Sequence, residues 1–196
     1  MRIAISGTHC CGKTTLIDEF LLAHHNYAHE PEPYTALQDD YGESFAAEPS
    51  SEDFYRQLEF NLDRLRHYSA DECVIFERGP VDFLAYMLAL KDLRRDENAS
   101  RVVDASLEMV TKGLQFLDLI VFLPAGDVAR SAMSDSEDPE LRSSVDRRLV
   151  EILTDDDFGL FSSGRPVVLE AAGSTSERLS TIETALQVGL TGREDR

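Results

Sequence analysis

Four short runs of apolar residues punctuate the chain: RIAIS (2–6), CVIFE (73–77), LIVFL (119–123) and PVVLE (166–170). They are rich in isoleucine and valine and do not alternate cleanly, the pattern of parallel strands covered on both faces. A weaker run, NYAHE (26–30), predicts a fifth strand. Between the runs the apolar period lengthens to that of a helix. KTTLIDEFLLAH places Leu16, Phe20 and His24 at successive steps of four, and SEDFYRQLEFNLDRLRHY lines up Phe54, Leu58, Leu62 and Leu65. VDFLAYMLALKDLRR, RVVDASLEMVTKGLQFL and SERLSTIETALQVGL continue the series. Ser174 and Glu177 stand at the spacing of a capping box, in which two side chains satisfy each other's orphan amides. Strands alternating with helices predict an α/β domain with a mainly parallel sheet.

Two segments interrupt this order. QDDYGESFAAEPSSED (38–53) and AGDVARSAMSDSEDPE (125–140) are polar and acidic, and read as functional lids or disordered tracts. No internal repeat is visible, and the terminal GREDR reads as a frayed tail.

At 196 residues the chain suits one domain, and 42% hydrophobic against 29% charged residues excludes wholesale disorder. A formal charge of -18 argues against nucleic acid or an anionic membrane as partner. No apolar run approaches membrane-spanning length. Arg2 leads at once into a strand-like run rather than a secretory leader, and three cysteines cannot form a paired framework, so a reducing cytoplasm is the expected setting. The helices at 80–95 and 101–117 are left to pack either a homodimer or the sheet.

The chemistry begins at Gly7-Thr-His-Cys-Cys-Gly12-Lys13-Thr14, which fits G-x-x-x-x-G-K-[ST], the phosphate-cradling P-loop. A strand precedes it and an amphipathic helix follows, as the motif requires. Two glycines permit a tight path in which successive amides turn inward around phosphate oxygens. The helix beginning near Lys13 adds its positive dipole end. Lys13 reaches the outer phosphates, and the Thr14 hydroxyl is a magnesium ligand. His9, Cys10, Cys11 and Thr15 complete the cradle. His9, Cys10 and Cys11 read as variable cradle positions rather than a metal site, because Cys73 stands alone in a strand. Cysteines near a helix N-terminus are also candidates for a lowered thiol pKa.

A P-loop alone does not distinguish kinases, GTPases and motor-type ATPases. Neither an NKxD-type guanine reader nor a D-x-x-G switch is present. Glu77 and Arg78 instead end a buried strand, at the sheet edge that faces the ligand crevice in open α/β folds. There the carboxylate suits magnesium beside Thr14, and the arginine suits the phosphoryl group in transfer. Glu32, between Pro31 and Pro33, is a rigidly presented carboxylate and a candidate base for an acceptor hydroxyl.

With these residues in place, the chain resembles deoxynucleoside kinases and related P-loop nucleoside and nucleotide kinases. The resemblance rests on the N-terminal P-loop, the PEP segment and the ERG after the third strand. FERGPVDFLAY and DPELRSSVD are also similar to bacterial AAA-type ATP-binding, kinase-like domains. The resemblance implies a three-layer P-loop fold, with a five-stranded, mainly parallel sheet of order 2-3-1-4-5, helices on both faces and a lid closing over ATP. It implies Glu32 as general base, Glu77 assisting Mg²⁺, Arg78 on the reacting phosphates, and Gln57 as the residue that reads a base. Family lids are rich in arginine, whereas SDSEDPE is acidic. Arg130, Arg142, Arg147 and Arg148 flank it, with Arg142 and Arg147 the better placed for catalysis.

The expectation is therefore one P-loop kinase-like domain over 1–196, with 38–53 an acceptor-side loop and 125–148 a lid region. It uses ATP and Mg²⁺ to phosphorylate a hydroxyl or phosphate on a small-molecule acceptor, a nucleoside, nucleotide or related metabolite. The alternative is a nucleotide-binding switch or accessory ATPase with no acceptor.

Overall fold

The structure is a computed structural model that describes residues 1–46, 48–125, 138–161 and 166–190, the last three by backbone alone. Arg130, the middle of the expected lid (126–137) and the terminal GREDR lie outside the described residues.

The five apolar runs form strands: β1 (Arg2–Ser6), β2 (Ala28–Glu30), β3 (Val74–Glu77), β4 (Leu119–Phe122) and β5 (Val167–Glu170). They make one parallel sheet of order β2-β3-β1-β4-β5, as expected. The helices are α1 (Lys13–Ala23), α2 (Pro33–Tyr41), α3 (Ser51–His67), α4 (Pro80–Asp92), α5 (Ala99–Leu114), α6 (Pro139–Val150) and α7 (Thr175–Leu190). A π-helical turn, Glu151–Asp155, extends α6.

Successive residues of β1 face opposite sides of the sheet, which creates two apolar layers. Ala4 joins Phe76 and Phe122 against α3, α4, α5 and α6, through Leu58, Phe83, Val110 and Val145. Ile3 and Ile5 join Val121 against α1 and α7, through Leu16, Phe20, Ile182 and Leu186. Each fully buried Phe, Leu or Ile here contributes about 1.5–3 kcal/mol. Helix α4 is apolar almost all round and lies inside the chain's own core.

Caps set where the helices begin. Ser50 accepts from the Asp53 amide at 3.2 Å, while Asp53 accepts from the Ser50 amide at 2.8 Å, a reciprocal box that starts α3. The Ser174–Glu177 box opens α7 as its spacing predicts. Asp138 caps α6 by accepting from the amides of Glu140 and Leu141, each at 3.1 Å.

Segment 38–53 departs from the expected loop. Its first four residues complete α2, and residues 51–53 open α3. Pro33 at the first helical position pre-sets the backbone, and Pro33 and Leu37 bury one face. Residues 42–50 alone connect the two helices.

Candidate functional site

The cradle forms where β1 ends. A Cβ on Gly7 would stand 2.6 Å from Cys11 Sγ and 2.8 Å from the Leu123 carbonyl oxygen, so only glycine lets the loop close there. Gly12 caps α1 at φ +90, a left-handed conformation that side chains disfavour. Lys13 is buried and donates to the Thr8 carbonyl at 2.9 Å, across the ring of the loop. Thr14 and Thr15 remain exposed at the helix start, as does His9 on the loop, while Cys10 is partly covered.

Burial pushes the Cys11 thiol pKa up, against the pull of Lys13 and Arg78. The expected helix-terminus activation therefore does not hold for this cysteine, because desolvation penalises the thiolate more than nearby cations favour it. All three cysteines are free thiols. Among the described residues, no three His, Cys, Asp or Glu side chains group as a metal would need.

Strand β3 lies beside β1 with Glu77 opposite Ile5, so its tip reaches the cradle. The Thr14 hydroxyl donates to Glu77 Oε1 at 2.8 Å. The next residue, Arg78, has φ +76, a region that costs a non-glycine residue about 1–3 kcal/mol. Its amide donates to the Ile5 carbonyl and its own carbonyl accepts from Asn61. This backbone turn aims the guanidinium back across the loop. Nη1 donates to the Gly7 carbonyl at 2.9 Å, Nη2 to the Tyr86 hydroxyl at 3.4 Å, and Nε to Glu32 Oε1 at 2.5 Å.

Glu32, just beyond the edge strand β2, is thus joined to the P-loop through Arg78. Burial opposes its charge, but the Arg78 and Lys13 cations prevail and hold its carboxyl below the ordinary value of 4.5. Arg78 in turn stays charged although it is fully enclosed, held well above the ordinary arginine range by Glu32, Tyr86 and Asp82. Glu32 Oε2 makes no hydrogen bond to any described residue. The neighbouring carboxylate, Glu30, has a structural task, pairing with Arg64 and Tyr68 on α3.

Asp82, absent from the sequence expectations, joins the parts together. Fully buried on the first turn of α4, it accepts from Ser6 Oγ at 2.7 Å, the Gly7 amide at 3.0 Å and the Gly79 amide at 2.9 Å. It also lies 3.5 Å from Arg78 Nη1. One carboxylate therefore ties the start of the P-loop, the β3–α4 turn and the arginine. The available signal was Asp82 as an acid in the first turn after Pro80.

Beside the loop opens a cavity of about 520 Å³, with His9, Glu32 and Arg78 in its wall. Phe54 and Tyr86 stack in that wall, ring centroids 4.5 Å apart, and Tyr34 stacks on Phe45 at 5.0 Å. Gln57 is 4% exposed, and its amide makes no hydrogen bond to any described residue.

The expected catalytic residues divide here. Lys13, Glu32, Glu77 and Arg78 meet at the loop, and Arg142 lines the cavity from α6. The structure does not bring Arg147 to them. Its guanidinium is held by Asp92 at 2.8 Å and Glu151 at 3.0 Å, as Arg148 is by the same two acids.

Residues 2–178 match the family described as an AAA domain. The chain belongs to that family. Among solved structures, this AAA domain chain is similar to deoxyadenosine kinase from M. mycoides with bound dATP, at TM-score 0.65 and 15% identity, over 95% of this chain and 100% of that one. Thymidylate kinase from Candida albicans aligns at 0.66 and 14% identity, over 96% and 91%. NadR protein in complex with NAD and AMP-PNP aligns at 0.64 and 15% identity, over 96% of this chain and 49% of that one. At such identities the shared property is the fold. No curated protein matches the chain.

Proposed function

We propose that this AAA domain protein is a kinase that moves the γ-phosphoryl group of ATP to a hydroxyl or phosphate of a nucleoside, nucleotide or related small metabolite. The observation that carries this reading is Arg78, which spans from the P-loop carbonyl of Gly7 to Glu32 at the cavity wall. Donor site and acceptor site thereby share one cation. The fold likeness to enzymes named as deoxyadenosine and thymidylate kinases supports it.

The loop amides and Lys13 hold the β- and γ-phosphates of the donor. Thr14 and Glu77, hard oxygen donors in contact at the loop, fit a magnesium ion, which supplies charge neutralisation at those phosphates. Glu32, ionised at neutral pH, accepts the acceptor's hydroxyl proton on Oε2 while Arg78 keeps Oε1. Arg78, with Arg142 from α6, stabilises charge spread over the phosphoryl oxygens. The aromatic pairs hold a flat ring, Gln57 reads its polar edge, and the filled cavity excludes water that would hydrolyse the donor.

ADP release from MgATP, measured with and without a pool of nucleosides, nucleotides and related metabolites, tests the reading. Release that depends on an acceptor supports it. Slow release that ignores every acceptor makes the chain a nucleotide switch or accessory ATPase.

A further inference from the structure

The phosphate loop is also touched by helix α7, which the reading above leaves unused. This helix follows the edge strand β5 and packs on the same apolar layer as α1 through Ile182 and Leu186. Its capping box fixes the first turn, where the Arg178 amide donates to the Ser174 carbonyl at 3.0 Å. That docking carries the Arg178 side chain to the loop. Nη1 donates to the Cys11 carbonyl at 2.7 Å, and a Cβ on Gly12 would stand 3.2 Å from the same nitrogen.

Three loop carbonyls are thus held by cations from three places in the fold. Arg78 takes that of Gly7, Lys13 that of Thr8, and Arg178 that of Cys11. On the kinase reading Lys13 serves the donor's phosphates and Arg78 the reacting groups, which leaves Arg178 without a role. In a chain with 37 acids against 19 lysines and arginines, a part-buried arginine ordinarily meets a carboxylate, as Arg64 and Arg148 do. Arg178 meets none among the described residues, and its Nε is buried without a hydrogen bond. Glu177 beside it turns back to the cap, accepting from the Ser174 amide at 2.8 Å and hydroxyl at 2.7 Å.

What the contact does follows from peptide geometry. The Cys11 carbonyl and the Gly12 N–H belong to one planar trans unit, in which the two bonds point opposite ways. Holding the carbonyl outward therefore holds the N–H toward the inside of the loop, where it donates to no described residue. Gly12, at φ +90, lets this unit turn over at little steric cost. Turned over, it would present an oxygen to the phosphates instead of a donor. The guanidinium also polarises the peptide, which strengthens its N–H as a donor. Resting on the reading of this loop as a donor-phosphate cradle, we propose that Arg178 is a positioning residue for the donor. It locks the Cys11–Gly12 peptide so that the Gly12 N–H faces a phosphate oxygen. Helix α7 is thereby part of the donor site, although none of its residues lines the acceptor cavity.

The test follows binding rather than transfer, in the full chain, for the wild type, Arg178→Ala, Arg178→Gln and Arg178→Lys. MgATP and inorganic tripolyphosphate, which has no base or sugar, are titrated by calorimetry. Arg178→Ala is expected to weaken both by about 10–100-fold, the range for a hydrogen bond to a charged group. Arg178→Lys should recover most of that loss and Arg178→Gln less of it, with acceptor KM unmoved. An alanine variant that binds both ligands as the wild type does, whatever its thermal stability, overturns the inference and makes Arg178 a packing contact. Should that variant not fold, wild-type affinity in Arg178→Gln overturns it equally. A loss confined to MgATP also overturns it, because the arginine would then meet the base or sugar. Binding in the expected order without transfer to any acceptor overturns the kinase and leaves this inference standing.

Discussion

The two sides of the cleft are built on opposite plans. On the donor side every charged group has a protein partner. Lys13 bonds Thr8, Thr14 bonds Glu77, Arg78 bonds Gly7 and Glu32, and Asp82 holds three donors at once. On the acceptor side, the aromatic pairs pack and Gln57 lines the cavity without a hydrogen bond to any described residue. The difference follows from what each side must recognise. On the proposed reading the donor is a triphosphate whatever the acceptor, so its cradle is completed in advance and loses little entropy on binding. An acceptor is specific, and on the proposed reading Gln57 is the polar group that meets it.

Substitutions on the two sides should therefore fail differently. The largest effect is expected from Glu32→Gln, which keeps the shape and the Arg78 contact but removes the proton acceptor. Turnover should fall by about 10²–10⁴ with donor affinity little changed, read from steady-state kinetics and nucleotide titration. Full activity would remove Glu32 from the chemistry. In the wild type the same carboxylate sets a pH dependence. Its native value lies below 4.5, so the group binds fewer protons folded than unfolded. The acid limb of kcat/KM should lie below the ordinary glutamate range. The stability the carboxylate contributes should be intact above pH 4.5 and be lost as pH falls through the lower native value.

Asp82→Asn comes next. The amide cannot accept from Ser6, Gly7 and Gly79 together, so one buried donor is left unpaired and Arg78 loses a counter-charge. A loss of about 2–4 kcal/mol in denaturant unfolding is expected. A fall of about 100-fold in turnover should accompany it, as the loop and arginine lose their alignment. A variant that is destabilised but turns over normally would confine Asp82 to the fold.

Gln57→Leu should act on the acceptor side alone. The amide has no protein partner to lose, so the empty protein should change by less than about 1 kcal/mol in thermal unfolding. Acceptor KM should rise about 10–100-fold with donor KM unchanged. A rise in donor KM instead would place Gln57 on the wrong side. The smallest effect belongs to Arg147→Ala, which breaks half-exposed pairs with Asp92 and Glu151. Stability should change by less than about 1 kcal/mol and turnover by less than about twofold.

The arginines also show how far the sequence could be read. Arg142 and Arg147 have the same side chain on the same helix, five residues apart, which is about 140° around its axis. One lines the cavity and the other meets Asp92. Helical phase, set by where α6 begins and what it packs on, separates them, and composition does not. The P-loop was legible because its demands are local: Gly12 at φ +90 and Gly7 in contact with Cys11 dictate residue type within a few positions. The strands were legible as contiguous apolar runs. Asp82 was not, since its partner Ser6 is 76 positions away and nothing near either residue announces the other. Helix α2 was hidden because PYTALQDDY buries only Pro33, Ala36 and Leu37, too few to show a period.

On the proposed reading, what ties the two sides together is a single event, the passage of a phosphoryl group from the loop to a molecule held against Glu32. ATP labelled in its γ-phosphate, given to the wild type and to Glu32→Gln with a nucleoside acceptor, follows that event. Label should collect in the acceptor with the wild type and scarcely at all with the variant, and little should become inorganic phosphate with either. Label found only in inorganic phosphate, at one rate for both proteins and with or without acceptor, would contradict it.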